Sequence, residues 1–142
     1  MKSIIFFIVL FVFVPISYAY KISDNLTVIG SVKAKNYYSD KLPNAQVGTT
    51  YTFQLSDANS VVTADNSNPT LYTIPDNESV NFKINDIIDI LQLGTGKVTF
   101  VGATNVVINS YLGYLSIAGR YAGVSLLKTG NNTWLLTGAL IP

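Results

Sequence analysis

The sequence predicts an all-β protein, in the form of an antiparallel β-sandwich or barrel-like domain of about nine short strands. From Thr49 onward, short runs rich in Val, Ile, Thr, Tyr and Phe are separated by Gly, Asn, Asp and Pro, which is the pattern of strands and turns. These runs recur every 8 to 12 residues or so, a spacing typical of sandwiches and barrels. No convincing helix is predicted in residues 20–142.

Each predicted strand is a short β-prone run that ends at a turn signal. Thr50–Leu55 alternates, so that Tyr51, Phe53 and Leu55 share one face. The segment from Asp86 to Leu93 is ambiguous: its β-branched residues favour a strand, although a helical turn could open it. Gly94-Thr95-Gly96 is predicted to be a tight hairpin turn, and Thr129–Asn132 the last hairpin loop. The nine predicted strands are Thr50–Leu55, Ser60–Thr63, Thr70–Ile74, Asp86–Leu93, Lys97–Val101, Asn105–Asn109, Leu115–Ile117, Val124–Lys128 and Thr133–Thr137.

Residues 1–19 have the features of a secretory signal peptide. Lys2 precedes an apolar run from Ile4 to Val14, and Ser17 and Ala19 supply the small residues of a cleavage site after Ala19. The alternative is a retained membrane anchor, but the run is shorter than the roughly 17 to 25 residues of a spanning helix. We therefore expect an exported protein that is secreted, periplasmic, or associated with a surface or virion.

Residues 20–48 differ from the β domain at 49–142. The stretch from Lys33 to Asn44 is polar, contains Pro43 and has no helical period, which favours a linker or an arm that leads into the domain. An ordinary edge strand and loop is the alternative, and one strand could lie between Lys21 and Val32.

The composition excludes several classes of site. Residues 20–142 carry eight basic and eight acidic side chains, because Lys2 belongs to the leader. A neutral chain lacks the basic clusters that meet nucleic acid or anionic membranes. The absence of His and Cys excludes zinc sites built from them and Ser-His or Cys-His nucleophile pairs. We therefore expect no catalytic residues, metal, cofactor or nucleic-acid partner, and membrane contact only through an uncleaved leader.

Acidic side chains leave one enzymatic alternative open, a small glycoside hydrolase that uses two carboxylates. Asp86 and Asp89 are the closest pair in the ambiguous segment, but residues three apart on a strand point to opposite faces. Calcium is a second alternative, for which no EF-hand or nonapeptide pattern is present. Turn capping accounts for Asp57, Asp65 and Asp76 without a ligand.

Two short tyrosine motifs are the candidate ligand-binding residues. Tyr111-Leu112-Gly113-Tyr114 and Arg120-Tyr121 offer apolar ring faces, hydroxyls and a fixed guanidinium, groups that suit a sugar ring. The sequence alone leaves open whether Tyr111, Tyr114 and Tyr121 contact a ligand or are buried in the core, as aromatic rings in β domains often are. Trp134, alone in a late strand, is predicted to be a core residue.

The stretch from Thr50 to Leu140 resembles a small β domain of bacteriophage tail-fibre and other virion structural proteins. Ordered landmarks carry the resemblance: Thr50–Ala58, Ser60–Thr63, Thr73–Pro75, Ile87–Phe100, Val107–Ser110, Leu115, Gly119–Gly123 and Thr133–Gly138. It implies a non-enzymatic module for attachment or shell assembly, commonly part of an oligomer, with a trimer among the expected states. The leader indicates export by a cell, or a virus whose structural proteins pass through a membrane.

These observations predict an exported β module for surface attachment or recognition of a glycan or protein partner. A structural subunit of a coat, fibre or envelope layer is the alternative, and a carboxylate-dependent glycoside hydrolase is a second alternative.

Overall fold

The computed structural model describes residues 42–142, and it confirms the all-β class. Eleven strands form two mixed sheets, and within these residues the helical elements are two short 3-10 turns. The predicted leader and most of the predicted arm lie outside the described residues. The strands are β1 (Asn44–Gln46), β2 (Thr50–Thr52), β3 (Ser60–Ala64), β4 (Thr70–Ile74), β5 (Ile87–Gln92), β6 (Val98–Gly102), β7 (Val107–Ser110), β8 (Ser116–Ile117), β9 (Gly123–Gly130), β10 (Thr133–Gly138) and β11 (Leu140–Ile141).

The first six strands alternate between the sheets. The first sheet has the order β1-β3-β5-β9-β10-β7 and the second has β11-β8-β6-β4-β2. The chain therefore makes three turns of a flattened coil, and each turn adds one strand to each sheet. Neighbours along the coil are parallel: Val62 lies opposite Asn44, and Ile90 lies opposite Val62.

The predicted antiparallel arrangement is therefore correct only for part of the domain. The pairs β5–β9, β9–β10, β6–β8 and β8–β11 are antiparallel, whereas those among β1 to β6 and the pair β7–β10 are parallel. Parallel neighbours need a long crossover connection, and here each crossover is a strand of the other sheet. The residue pattern of a strand carries no signal for this direction.

The predicted hairpin at Gly94-Thr95-Gly96 is wrong, because β5 and β6 belong to different sheets. Gly94 and Gly96 are needed because the loop between β5 and β6 closely contacts the loop between β3 and β4. A Cβ at Gly94 would lie 2.2 Å from the carbonyl oxygen of Asn66, and one at Gly96 would lie 1.9 Å from that of Asn68. The buried Gln92 amide braces the corner by donating to the carbonyls of Gly94 and Gly96.

Most of the other predicted elements are confirmed within a few residues. Nine observed strands, β2 to β10, overlap the nine predicted ones, and the last hairpin joins β9 to β10 as expected. The ambiguous segment is the strand β5. The first predicted strand is shorter than expected, because a 3-10 turn at Leu55–Asp57 follows Thr52. The strand β1 lies in the stretch assigned to the arm and is an edge of the first sheet.

The core lies between the two sheets and is rich in aromatic rings. Alternating burial along β5 and β9 turns every second side chain inward. The rings of Tyr51, Tyr72 and Phe100 occupy one register column of the second sheet, and Trp134 is fully buried in the first, as predicted. No helix of residues 42–142 is long and apolar enough to span a membrane.

Candidate functional site

A shallow groove lies on the outer face of the first sheet. Its volume is about 330 Å³. The register between strands sets one row across it, in which Asp89 lies between Val61 and Ser125, and Ser125 lies opposite Thr137. We call this surface the outer groove; its lining residues include Val61, Asp89, Leu91, Gly123, Ser125 and Thr137.

The outer groove combines apolar walls with one carboxylate. Leu91 is exposed on the sheet face, and Gly123 beside it contributes no side chain. The Asp89 carboxylate accepts a hydrogen bond of 2.5 Å from the Ser125 hydroxyl, which holds the acid in one orientation. An oriented carboxylate beside an apolar surface suits a ligand that has both hydroxyl groups and an apolar face, as sugars do.

Asp86 and Asp89, the acidic pair of the hydrolase hypothesis, lie in different environments. Asp89 is exposed in the outer groove, whereas Asp86 is buried before β5 and accepts hydrogen bonds from the Lys83 backbone amide and the Asn59 side chain. The extended backbone between them accounts for this separation, as the spacing predicted. Asp86 therefore serves the turn that opens the strand.

Tyr111 and Tyr114 form one pair after β7, in which Tyr111 is exposed and Tyr114 is half-buried. Their rings meet edge to face with centroids 6.3 Å apart, and Tyr111 is 75% exposed. Leu112 between them is also exposed and has a left-handed backbone, with φ of 53°. The structure therefore leaves the Tyr111 ring outside the core.

Arg120 and Tyr121 form a second exposed pair, between β8 and β9. The Arg120 guanidinium carbon lies 4.6 Å from the centre of the Tyr121 ring, and Nε donates to the Leu93 carbonyl. The backbone amide of Tyr121 donates to the Gln92 carbonyl. These contacts hold the pair against the end of β5 and the loop that follows it, while the Tyr121 ring is 73% exposed.

Both pairs sit at the end of the first sheet where β5 and β10 finish. Tyr111 follows Ser110, which lies opposite Leu136, so its backbone is level with Thr137 in the outer groove. Tyr121 lies two residues before Gly123, the first residue of β9. Two strand spacings, roughly 10 Å, separate β7, which Tyr111 follows, from β9, which Tyr121 precedes, so that the four predicted residues form two pairs.

Backbone strain marks both motifs. Among residues 42–142, five residues other than glycine have positive φ; three are asparagines, which tolerate this conformation, and the other two are Leu112 and Tyr121. A bulky side chain in the left-handed region costs free energy, and such costs concentrate at functional sites. Leu112 and Tyr121, whose side chains do not favour this conformation, therefore lie one in each of the two tyrosine motifs.

The sequence named the tyrosines as candidates but gave no indication of the outer groove. The row from Val61 to Thr137 draws on four strands, and only their register brings it together.

Residues 42–142 contain no group of three or more acidic side chains placed to hold a metal ion. As predicted, turn chemistry engages two of the acids: Asp57 caps the 3-10 turn through the Gln54 amide, and Asp76 accepts from the Ser79 amide, which lowers the pKa of Asp76.

Comparisons of the chain with protein-family models, with curated proteins and with solved structures find no match.

Proposed function

We propose that this protein is an exported, non-enzymatic β module that attaches to a surface by recognising a glycan at the outer groove and the two tyrosine pairs. The observation that carries this proposal is the exposure of Tyr111 and Tyr121 at the same end of the sheet as the outer groove, together with the left-handed backbone of Tyr121 and of Leu112 beside Tyr111. Solvent exposure of such rings costs hydrophobic free energy, and the strained backbone adds to that cost. Favourable contacts with a bound ligand would offset both of these free-energy costs.

The chemistry of the surface favours a sugar over a purely apolar ligand. Tyrosine presents an apolar face for C–H groups and a hydroxyl for hydrogen bonding, and Arg120 is held in place by Leu93 with guanidinium donors to spare. Asp89, oriented by Ser125, is an acceptor for sugar hydroxyl groups. The resemblance to tail-fibre domains agrees with a role in attachment.

A glycan array probed with the full secreted chain tests the proposal. We expect selective binding to a subset of surface glycans, and a loss of about fivefold or more for Tyr111→Ala and for Tyr121→Ala, since removing one aromatic contact costs about 1 to 3 kcal/mol. Tyr111→Phe and Tyr121→Phe should retain the contribution of the ring and lose only that of the hydroxyl.

Leu55→Ala is a matched control, because Leu55 is also a large exposed side chain but lies in the turn between β2 and β3. It should leave binding unchanged. An array without bound glycans, together with unchanged adhesion to cells for Ala variants of Tyr111, Tyr114, Arg120 and Tyr121, would rule the proposal out.

The second candidate, a structural subunit of a coat or fibre, is favoured by the two edge strands β1 and β2. Within residues 42–142, β1 and β2 are edge strands of their respective sheets, and exposed edges are templates for pairing with another chain. Light scattering of the full secreted chain tests this candidate. A concentration-independent oligomer, such as a trimer, would support it, and a strict monomer at high concentration would exclude it.

A further inference from the structure

Lys128 is a buried cation at the opposite end of the first sheet. It lies near the end of β9, about 17 Å along that strand from Gly123. Only 2% of its surface is exposed, because its side chain points inward in the alternation of β9. Its Nζ atom lies 5.2 Å from the centre of the Trp134 ring.

The hydrogen bonds of this ammonium group are all to neutral oxygens. Nζ donates to Oδ1 of Asn77 at 2.9 Å and to the Asn131 carbonyl at 2.7 Å, which uses two of its three N–H donors. Asp86 acts on it electrostatically, but the Asp86 oxygens are engaged by Lys83 and Asn59. Burial lowers the pKa of Lys128, and Asp86 only partly opposes this.

A buried charge normally has a partner of opposite charge, since desolvation is costly. Lys128 lines an open cleft of about 380 Å³, within the usual range of ligand sites. We call it the Lys128 cleft. Its other lining residues are Asn77, Asn81 and Asn131, the apolar Phe82 and Ile84, and Lys83.

The lining therefore offers two cations, three amides and an apolar wall, and contains no carboxylate. We propose that the Lys128 cleft binds a small acidic sugar, whose carboxylate accepts the third N–H of Lys128 while the asparagine amides contact its hydroxyl groups. The single buried ammonium matches one negative charge. A doubly charged phosphate is more commonly met by arginine forks or several backbone amides. This site is independent of the outer groove and of the function proposed for it.

Fluorescence provides a direct readout, because Trp134 is the only tryptophan in the chain and its ring lies beside the Lys128 ammonium. The intact secreted chain is titrated with glucuronate, with glucose as its neutral counterpart and with inorganic phosphate. Calorimetry repeats each titration. We expect glucuronate to change the Trp134 emission and release heat, with glucose at least tenfold weaker and phosphate without effect.

Two variants test the assignment of residues. Lys128→Met keeps an unbranched stem over Trp134 and removes the charge. Asn81→Asp alters an exposed lining residue and supplies a competing carboxylate, so that it tests the cleft even if Lys128→Met fails to fold. Both should weaken glucuronate binding about tenfold or more, the usual size of a hydrogen bond to a charged group. Asn109→Asp, the same change on the exposed face of β7, should leave binding unaltered.

Any one of the following results would overturn the proposal. The first is equal affinity for glucose and glucuronate, because the charge would then play no part. The second is binding of phosphate in preference to glucuronate. The third is the absence of any response to glucuronate up to tens of millimolar, or a response that Asn81→Asp leaves intact.

Discussion

Tyr51 and Tyr72 lie directly opposite each other in parallel register, but their hydroxyl groups differ in hydrogen bonding. The Tyr51 hydroxyl donates to Oδ2 of Asp57 at 2.7 Å and accepts from the Asn44 side chain. The buried Tyr72 hydroxyl has no hydrogen-bond partner among residues 42–142. Their rings meet edge to face at 5.6 Å, so the same substitution at each position makes a matched pair.

Tyr51→Phe should destabilise the domain by about 1 to 3 kcal/mol, the usual cost of depriving a buried polar group of a partner. Asp57 is 1% exposed and accepts hydrogen bonds from Tyr51, Asn44 and the Gln54 amide. The change would remove one of these three donors. Urea unfolding measures the difference, and an unchanged midpoint would show that the network does not stabilise the fold.

Tyr72→Phe should be neutral or stabilising by about 1 kcal/mol, since it removes a buried hydroxyl without a partner and keeps the ring. The same urea experiment measures it. A loss of stability comparable to that of Tyr51→Phe would contradict the assignment of the Tyr72 hydroxyl as unpaired.

Stability should fall at alkaline pH because of these two tyrosines. Burial raises the pKa of Tyr72 from 10.0 to about 12, and burial and Asp57 raise that of Tyr51. The unfolded chain loses these protons first, so the contribution is fully present below pH 10 and disappears as pH rises towards 12. The lowered pKa of Lys128 acts in the opposite direction, but only up to its ordinary value of 10.5.

Unfolding free energies measured between pH 9 and pH 12 should therefore fall more steeply above the ordinary pKa of lysine. Tyr72→Phe should make the decline shallower, since its share of the linkage is removed. A wild-type profile that is flat over this range would contradict the predicted linkage.

Gly94→Ala should strongly destabilise the domain, by about 3 kcal/mol or more, because overpacking against backbone cannot be relieved by a side-chain movement. The added Cβ would lie 2.2 Å from the Asn66 carbonyl oxygen. Gly48→Ala is the control, because its Cβ would meet its nearest neighbour at 3.5 Å. Thermal unfolding compares the two variants, and equal melting temperatures would show that the coil corners are not in close contact.

Gly123→Ala should weaken ligand binding at the outer groove while leaving the fold intact. Its Cβ would lie 2.9 Å from Cδ2 of Leu91, the end of a flexible side chain that can move into the groove. We expect a melting temperature within a few degrees of wild type, together with reduced glycan binding on the array. Full binding in the folded variant would indicate that the ligand contacts the tyrosines without entering the groove.

The amino-acid sequence by itself determined the all-β class, most strand positions and the inward direction of Trp134. These properties depend on local alternation and turn chemistry, which neighbouring residues carry. The end of a strand at Gly94-Thr95-Gly96 was recognisable for the same reason, although the hairpin predicted there is wrong. The candidate tyrosines could be named from the chemistry of their side chains, but the exposure of Tyr111 and Tyr121 could not be predicted.

Only the tertiary structure decided which strands are neighbours. An isolated strand pattern is the same in parallel and antiparallel pairs, so the coil formed by β1 to β6 could not be read from residue order. The outer groove depends on the register of four strands, and the Lys128 cleft on a hairpin meeting a loop from far along the chain. Asn77 is 51 residues from Lys128 in sequence, and no local pattern connects positions so distant.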